Sequence, residues 1–197
     1  MDRRALLAAF PAVLLSGTAR AEPSKAQALV AAAREQTRHR VTYDGAYSRI
    51  PYPMGDVAPE KGVCTDVIIR AYRSALAIDL QQKVHEDMKA HFGLYPRTWG
   101  LKKPDSNIDH RRVPNLEVFF RRFGTVLPKT RRVQDYAPGD LVTYRLPFGQ
   151  PHIALVSDKR AWMSDDRHLI IHNIGAGPKE DDSLLAFDIT GHFRYAL

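Results

Sequence analysis

Cysteine is almost missing from this sequence. Cys64 is the only one in 197 residues, so an intramolecular disulfide is excluded. No run of about 20 apolar residues occurs, the length a helix needs to cross a bilayer, so stable membrane insertion is not expected. No long Lys/Arg tract is present, which leaves nucleic-acid binding without support. H-E-x-x-H and comparable metal-ligand pairs are also missing. His85 and His91 stand six residues apart, which on a helix turns them about 240° from one another. No phosphate-binding G-x-x-x-x-G-K-[ST] spacing exists, and there are no internal repeats.

The first residues, "MDRRALLAAFPAVLLSGTARAEPSK", have the order of a secretory signal. Arg3 and Arg4 are followed by a short apolar stretch and then by Ala19-Arg20-Ala21, a small-x-small cleavage pattern. Residues 1–21 are read as a signal peptide and residues 22–197 as one domain, exported to the periplasm or secreted by a Sec or Tat route. No cysteine sits at the cleavage site, which excludes a lipoprotein anchor. The formal charge is +7, and the signal carries +2 of it through Arg3, Arg4, Arg20 and Asp2, leaving +5. That mild basicity suits an acidic partner such as a cell-wall polymer.

Helical patterns come first along the chain. Residues 24–38 read as an amphipathic helix capped by Ser24, 64–77 and 81–91 as two more, and "VPNLEVFFRRFG" as a fourth, with Pro114 near its start and Gly124 at its stop. Residues 42–62 hold three prolines, three glycines and three tyrosines, an irregular segment of a length that is usually functional. From residue 138 the pattern changes. "PGDLVTYRL", "PHIALVSD", "HLIIHNIG" and "LLAFDITGHFRYAL" are rich in β-branched and aromatic residues and separated by turns. Helices followed by strands predict an α+β fold: N-terminal helices packed on a C-terminal antiparallel sheet.

A lone thiol in an exported chain is an inert core residue, an intermolecular disulfide partner or a reactive nucleophile. Cys64 falls where a loop becomes a helix, and the unpaired N–H groups of a helix start favour a thiolate. The same amides suit an oxyanion. A thiolate hydrolase also needs a histidine base and a group to orient it. His152 begins one strand and His172 ends another, so adjacent antiparallel strands would bring them side by side. His152 is then the base and His172 the orienting residue, with Asn173 in reserve on the opposite sheet face. Asp140, after Gly139, reads as a strand-entry turn residue.

The ordered segments "GVCTDVIIRAYR", "PGDLVTY", "PHIALVSD" and "LIIHNIGAG" resemble the core of NlpC-type, papain-like cell-wall hydrolases. Val63 and Thr65-Asp66 depart from the residues those enzymes commonly carry around the cysteine. Over about residues 40–195 the chain more closely resembles the bacterial family catalogued as domain of unknown function 1287, through "YDGAYSRIPYPMGDVAPEKGVCTDVIIRAYR", "VHEDM", "PDSNIDHRRVPNL" and "IHNIGAGPKEDD". The resemblance implies a papain-like core and an exported cysteine amidase or peptidase acting without a cofactor or metal. Peptidoglycan stem peptides are the expected substrate and a monomer the expected state. It also makes Tyr43 or Tyr47 a groove residue, and Arg111 and Arg112 are read as a bidentate clamp for a substrate carboxylate. The rival readings are a zinc-dependent cell-wall hydrolase and a non-catalytic module that binds cell-wall peptide.

Overall fold

Ser24 starts the first helix through a capping box. Its hydroxyl accepts the Gln27 N–H at 3.2 Å while the Gln27 side chain accepts the Ser24 N–H at 2.8 Å. In a computed structural model of the chain, which describes residues 22–197, this helix is α1, Lys25–Glu35. The signal peptide expected over residues 1–21 lies outside the described residues. Two short strands, β1 (Thr42–Tyr43) and β2 (Lys61–Gly62), pair in parallel across the irregular segment and lead into α2, Cys64–Leu76. Asp79 caps α3, Leu80–His91, by accepting the Gln81 N–H. Then α4 runs Val113–Phe123, with proline in its first turn and Gly124 as its C-cap. These are the four α-helices of the described residues, and they match the four helical patterns in the sequence to within a few residues.

The strands β3 (Thr125–Val126), β4 (Leu141–Arg145), β5 (Pro151–Ala161), β6 (Ser164–Asn173), β7 (Pro178–Asp181) and β8 (Asp188–Arg194) form one sheet in the order β3-β8-β4-β5-β6-β7. Every pairing in it is antiparallel. The architecture is α+β.

Side-chain alternation divides the sheet into two faces. Leu141, Ile153, Leu155, Ile171 and Phe193 face the helices and join a core with Val67, Ile68 and Tyr72 of α2 and Leu116, Phe119 and Phe120 of α4. Val142, Tyr144, Ala154, Val156 and Ile170 face the other way and are covered by Tyr136 and Leu184 from the connecting segments. The helix face therefore anchors α2, and with it Cys64, against the start of β5.

Candidate functional site

The start of α2 is tied down from three directions. Asp66 reaches back to accept the N–H of Val63 at 2.7 Å, the acidic half of a capping box. Its carboxylate also takes both prongs of Arg111, Nε and Nη2, at 2.9 Å each. Both side chains are 2% exposed, so this is a buried bidentate pair. Arg111 extends the tie by donating to the carbonyls of Asp44 at 3.2 Å and Ala46 at 3.4 Å. Thr65 donates its hydroxyl to the Arg111 carbonyl at 3.1 Å. Thr65 and Asp66, where the sequence departs from the NlpC-type pattern, thus join the cysteine loop to residues 44–46 and to the turn at 109–111.

Cys64 itself is buried. The β5–β6 ladder begins at Leu155 opposite Ile171, so Ile153 lies beyond it and its N–H is free of a strand partner there. That N–H addresses the Cys64 sulfur instead, as do the amides of Cys64 and Thr65. The sulfur thus sits at a notch in the sheet, past the end of the β5–β6 ladder. Burial pushes the thiol up to about 11, with Asp66 adding to the rise and the Ile153 amide opposing it. Burial thus works against the thiolate that the helix start favours. The Tyr43 side chain lies near the sulfur, and burial together with Cys64 holds its own hydroxyl up at about 12. Tyr43 is held in place by the β1–β2 pairing and by the Asp44 N–H, which donates to the Gly62 carbonyl at 3.3 Å.

His152 is the residue before Ile153, and its ring lies on the sheet face away from the helices, beside Tyr144. His172 shares that face. The two rings meet edge-on, His152 Nε2 to His172 Nδ1, at 2.8 Å, and each residue is 1% exposed. His172 Nε2 lies 3.3 Å from Oδ1 of Asp181 on β7. Neither atom has a well-directed hydrogen bond, so the contact acts as charge against dipole rather than as a linear bond. A carboxylate facing Nε2 favours the tautomer with its proton there. His172 Nδ1 is then the acceptor, His152 Nε2–H the donor, and His152 Nδ1 carries a bare lone pair. Burial, with His172 adding, lowers the His152 pKa to about 3, and burial lowers that of His172 despite Asp181. Both rings are neutral at rest.

The sequence expects Cys64, His152 and His172 to converge; the structure brings the two histidines into contact, but the His152 ring lies on the sheet face away from α2, so the Cys64 sulfur meets the Ile153 amide and not the imidazole. Asp181 was not foreseen. Its signal is the hairpin register: His172 faces Lys179, so Asp181 lands two residues along on the same side. Asn173 points to the helix side, where its amide donates to the Gly62 carbonyl at 3.3 Å. Gly175 and Gly177, both at positive φ, form the β6–β7 turn. Asp140 accepts the Ala137 N–H in the turn before β4 and pairs with His192 at 3.0 Å and Arg194 at 2.7 Å.

The remaining sequence candidates are dispersed. Tyr47 is exposed and donates its hydroxyl to Asp105 at 3.0 Å. Arg111 is turned inward onto Asp66, while Arg112 lies on the Trp99 ring at 4.1 Å and 3.4 Å from Asp109. The two arginines therefore do not form a joint clamp: a bidentate fork cannot serve a buried aspartate and a solvent ligand at once. Among the described residues no group of three or more His, Cys, Asp or Glu side chains is arranged to hold a metal ion.

A mixed α+β protein with a cysteine at a helix start, two contacting histidines and a facing aspartate is the class this arrangement defines. The chain belongs to the DUF1287 family, described as a domain of unknown function, which matches residues 30–195. It is 50% identical over 168 residues to the protein YijF of Escherichia coli (strain K12), described as uncharacterized, covering 85% of this chain and 80% of that one.

Proposed function

We propose that this protein is an exported cysteine amidase or peptidase with a papain-like core of the NlpC type. The observation that carries the reading is the hydrogen-bonded His152–His172 pair, 2.8 Å apart, beginning one residue from the amide that addresses the Cys64 sulfur. Resting thiol and imidazole are both neutral, so proton transfer accompanies substrate binding. The reading requires that, as Tyr43 shifts aside, the Cys64 proton reach His152 Nδ1 around the start of β5, after which the sulfur attacks the amide carbonyl. The Cys64–carbonyl bond forms as the carbonyl π pair moves to oxygen, where the amides at the start of α2 donate to it. His152 then protonates the leaving amine, the C–N bond breaks, and water, deprotonated by His152, hydrolyses the thioester. His172 and Asp181 hold the His152 tautomer throughout.

Peptidoglycan stem peptide is the substrate this reading favours, supported by the signal-like N-terminus, the basic charge and the sequence resemblance. The test is digestion of purified sacculi, with mass spectrometry of the released fragments. Wild-type protein should release muropeptides, and Cys64→Ala should release none while keeping its fold. Equal release by both would remove the thiol mechanism. Activity lost to EDTA and restored by zinc would favour a metal hydrolase, and sacculus binding with no release by wild type would favour a binding module.

A further inference from the structure

A cavity of about 760 Å³ opens between the irregular segment and residues 100–107, lined by Tyr47, Arg49, His85, Lys102, Lys103 and Ser106 among others. Its volume falls in the range of small-molecule and peptide-fragment sites. Its charge is lopsided. Arg49, Lys102 and Lys103 take part in none of the ion pairs among the described residues, whereas Arg73, Arg111 and Arg112 nearby are each paired to an aspartate. The carboxylate at the rim, Asp105, is already engaged. It accepts the Asn107 N–H at 2.9 Å, the Asn107 amide at 2.7 Å and the Tyr47 hydroxyl at 3.0 Å. That network, with Asn107 also accepting the Ile50 N–H at 3.0 Å, gives the cavity a fixed polar wall. A further group is unmet: His85 Nδ1 is buried with no hydrogen-bond partner.

We propose that this cavity is a binding site for a ligand carrying two or more oxyanion groups, carboxylates or phosphates, held by Arg49, Lys102 and Lys103. Three cations without an ion-pair partner line one cavity, and an anionic ligand would supply the counter-charge that the protein does not. The site is linked to the cysteine through one loop. Tyr47 belongs to the same loop as Tyr43, which covers Cys64, and Arg111 pins the backbone between them at Asp44 and Ala46. An acidic ligand seated here would lie along the loop that must move to uncover the thiol.

Binding is measured on the full mature chain carrying Cys64→Ala, so that turnover plays no part. The probes are glutarate, a dicarboxylate, and inorganic pyrophosphate, each followed by titration calorimetry. Saturable binding of one probe is expected, weakened about tenfold or more in Lys102→Ala/Lys103→Ala and in Arg49→Ala, and unchanged in the remote control Lys25→Ala. It should also weaken as salt rises from about 0.01 M to about 0.15 M. The tighter probe identifies the group recognised: glutarate an acidic peptide, pyrophosphate a phosphate-bearing ligand. No saturable binding of either, or binding indifferent to all the cavity variants, overturns the proposal. Probe binding without sacculus hydrolysis by wild type would sink the hydrolase reading and leave this site standing. Hydrolysis without probe binding would do the reverse.

Discussion

Nε2 of His152 lies 2.8 Å from Nδ1 of His172, and the second nitrogen of His172 faces Asp181 at 3.3 Å. The three groups form a line that ends in a bare Nδ1 on the residue preceding the Cys64-addressing amide. Asp181 is partly exposed. Burial pushes its carboxyl up, but the Ser183 hydroxyl and Lys179, 2.6 Å away, outweigh this and keep it ionised.

This line predicts a graded series of activities in the sacculus assay. His152→Ala removes the base and should cost at least about 100-fold in kcat. Asp181→Asn retains the shape but loses the charge that sets the His172 tautomer, and should lower kcat about tenfold with KM nearly unchanged. An Asp181→Asn variant as active as wild type would mean that the aspartate does not orient the pair.

Burial both shields the Cys64 thiol and raises its pKa. Alkylation of native protein by iodoacetamide should be slow at pH 8 and should accelerate toward the high thiol pKa of about 11, rather than level off near 8.5 as for a free cysteine. Tyr43→Ala uncovers the sulfur and should speed alkylation at pH 8 several-fold, while Tyr43→Phe, which keeps the ring, should speed it less. If Tyr43→Ala reacts no faster than wild type, Tyr43 is not the cover.

Buried histidines make stability fall in acid. Burial lowers the His152 pKa to about 3, and burial with Arg111 lowers that of His110 to about 4. In the unfolded chain both titrate near 6.5. Between these values the unfolded state binds more protons, so stability is full above about pH 6.5 and declines as pH falls. Asp109 opposes them over part of the range: burial raises its carboxyl to about 6, so the folded state holds one extra proton between about pH 4 and pH 6. The buried histidines, His172 among them, outnumber this one aspartate, so stability declines as pH falls from about 6.5 toward about 5. Urea midpoints at pH 7 and pH 5 should differ accordingly, and His110→Gln should reduce the difference. Equal midpoints would contradict the buried, neutral state of these rings.

The Asp66–Arg111 pair should be costly to break from one side. Arg111→Met leaves a buried carboxylate uncompensated and should destabilise the fold by about 3–5 kcal/mol. Asp66→Asn/Arg111→Met should recover part of that loss, because the stranded charge is gone. If the single variant unfolds at the wild-type urea concentration, the pair does not hold the start of α2.

The four helices and the four main strands were readable because each carries its own periodicity and its own stop signals: Ser24 at the first helix, Pro114 and Gly124 around the fourth, and turn residues between the strands. The short strand β7 was not readable. "PKED" has no apolar alternation, and it is a strand only because β6 offers it an edge. Asp181 was missed with it.

The sequence alone determined the helix-then-strand order, the single thiol at a helix start, and two histidines at strand ends whose alternation puts them on one side of the sheet. These are local facts, fixed by spacing along one element. The tertiary structure decided which way Arg111 turns, that burial raises the thiol pKa, that the His152 ring faces away from Cys64, and that Asp181 stands behind His172. Each of these depends on how far water is excluded and on which distant charge is nearest, and both are set only when the elements pack together.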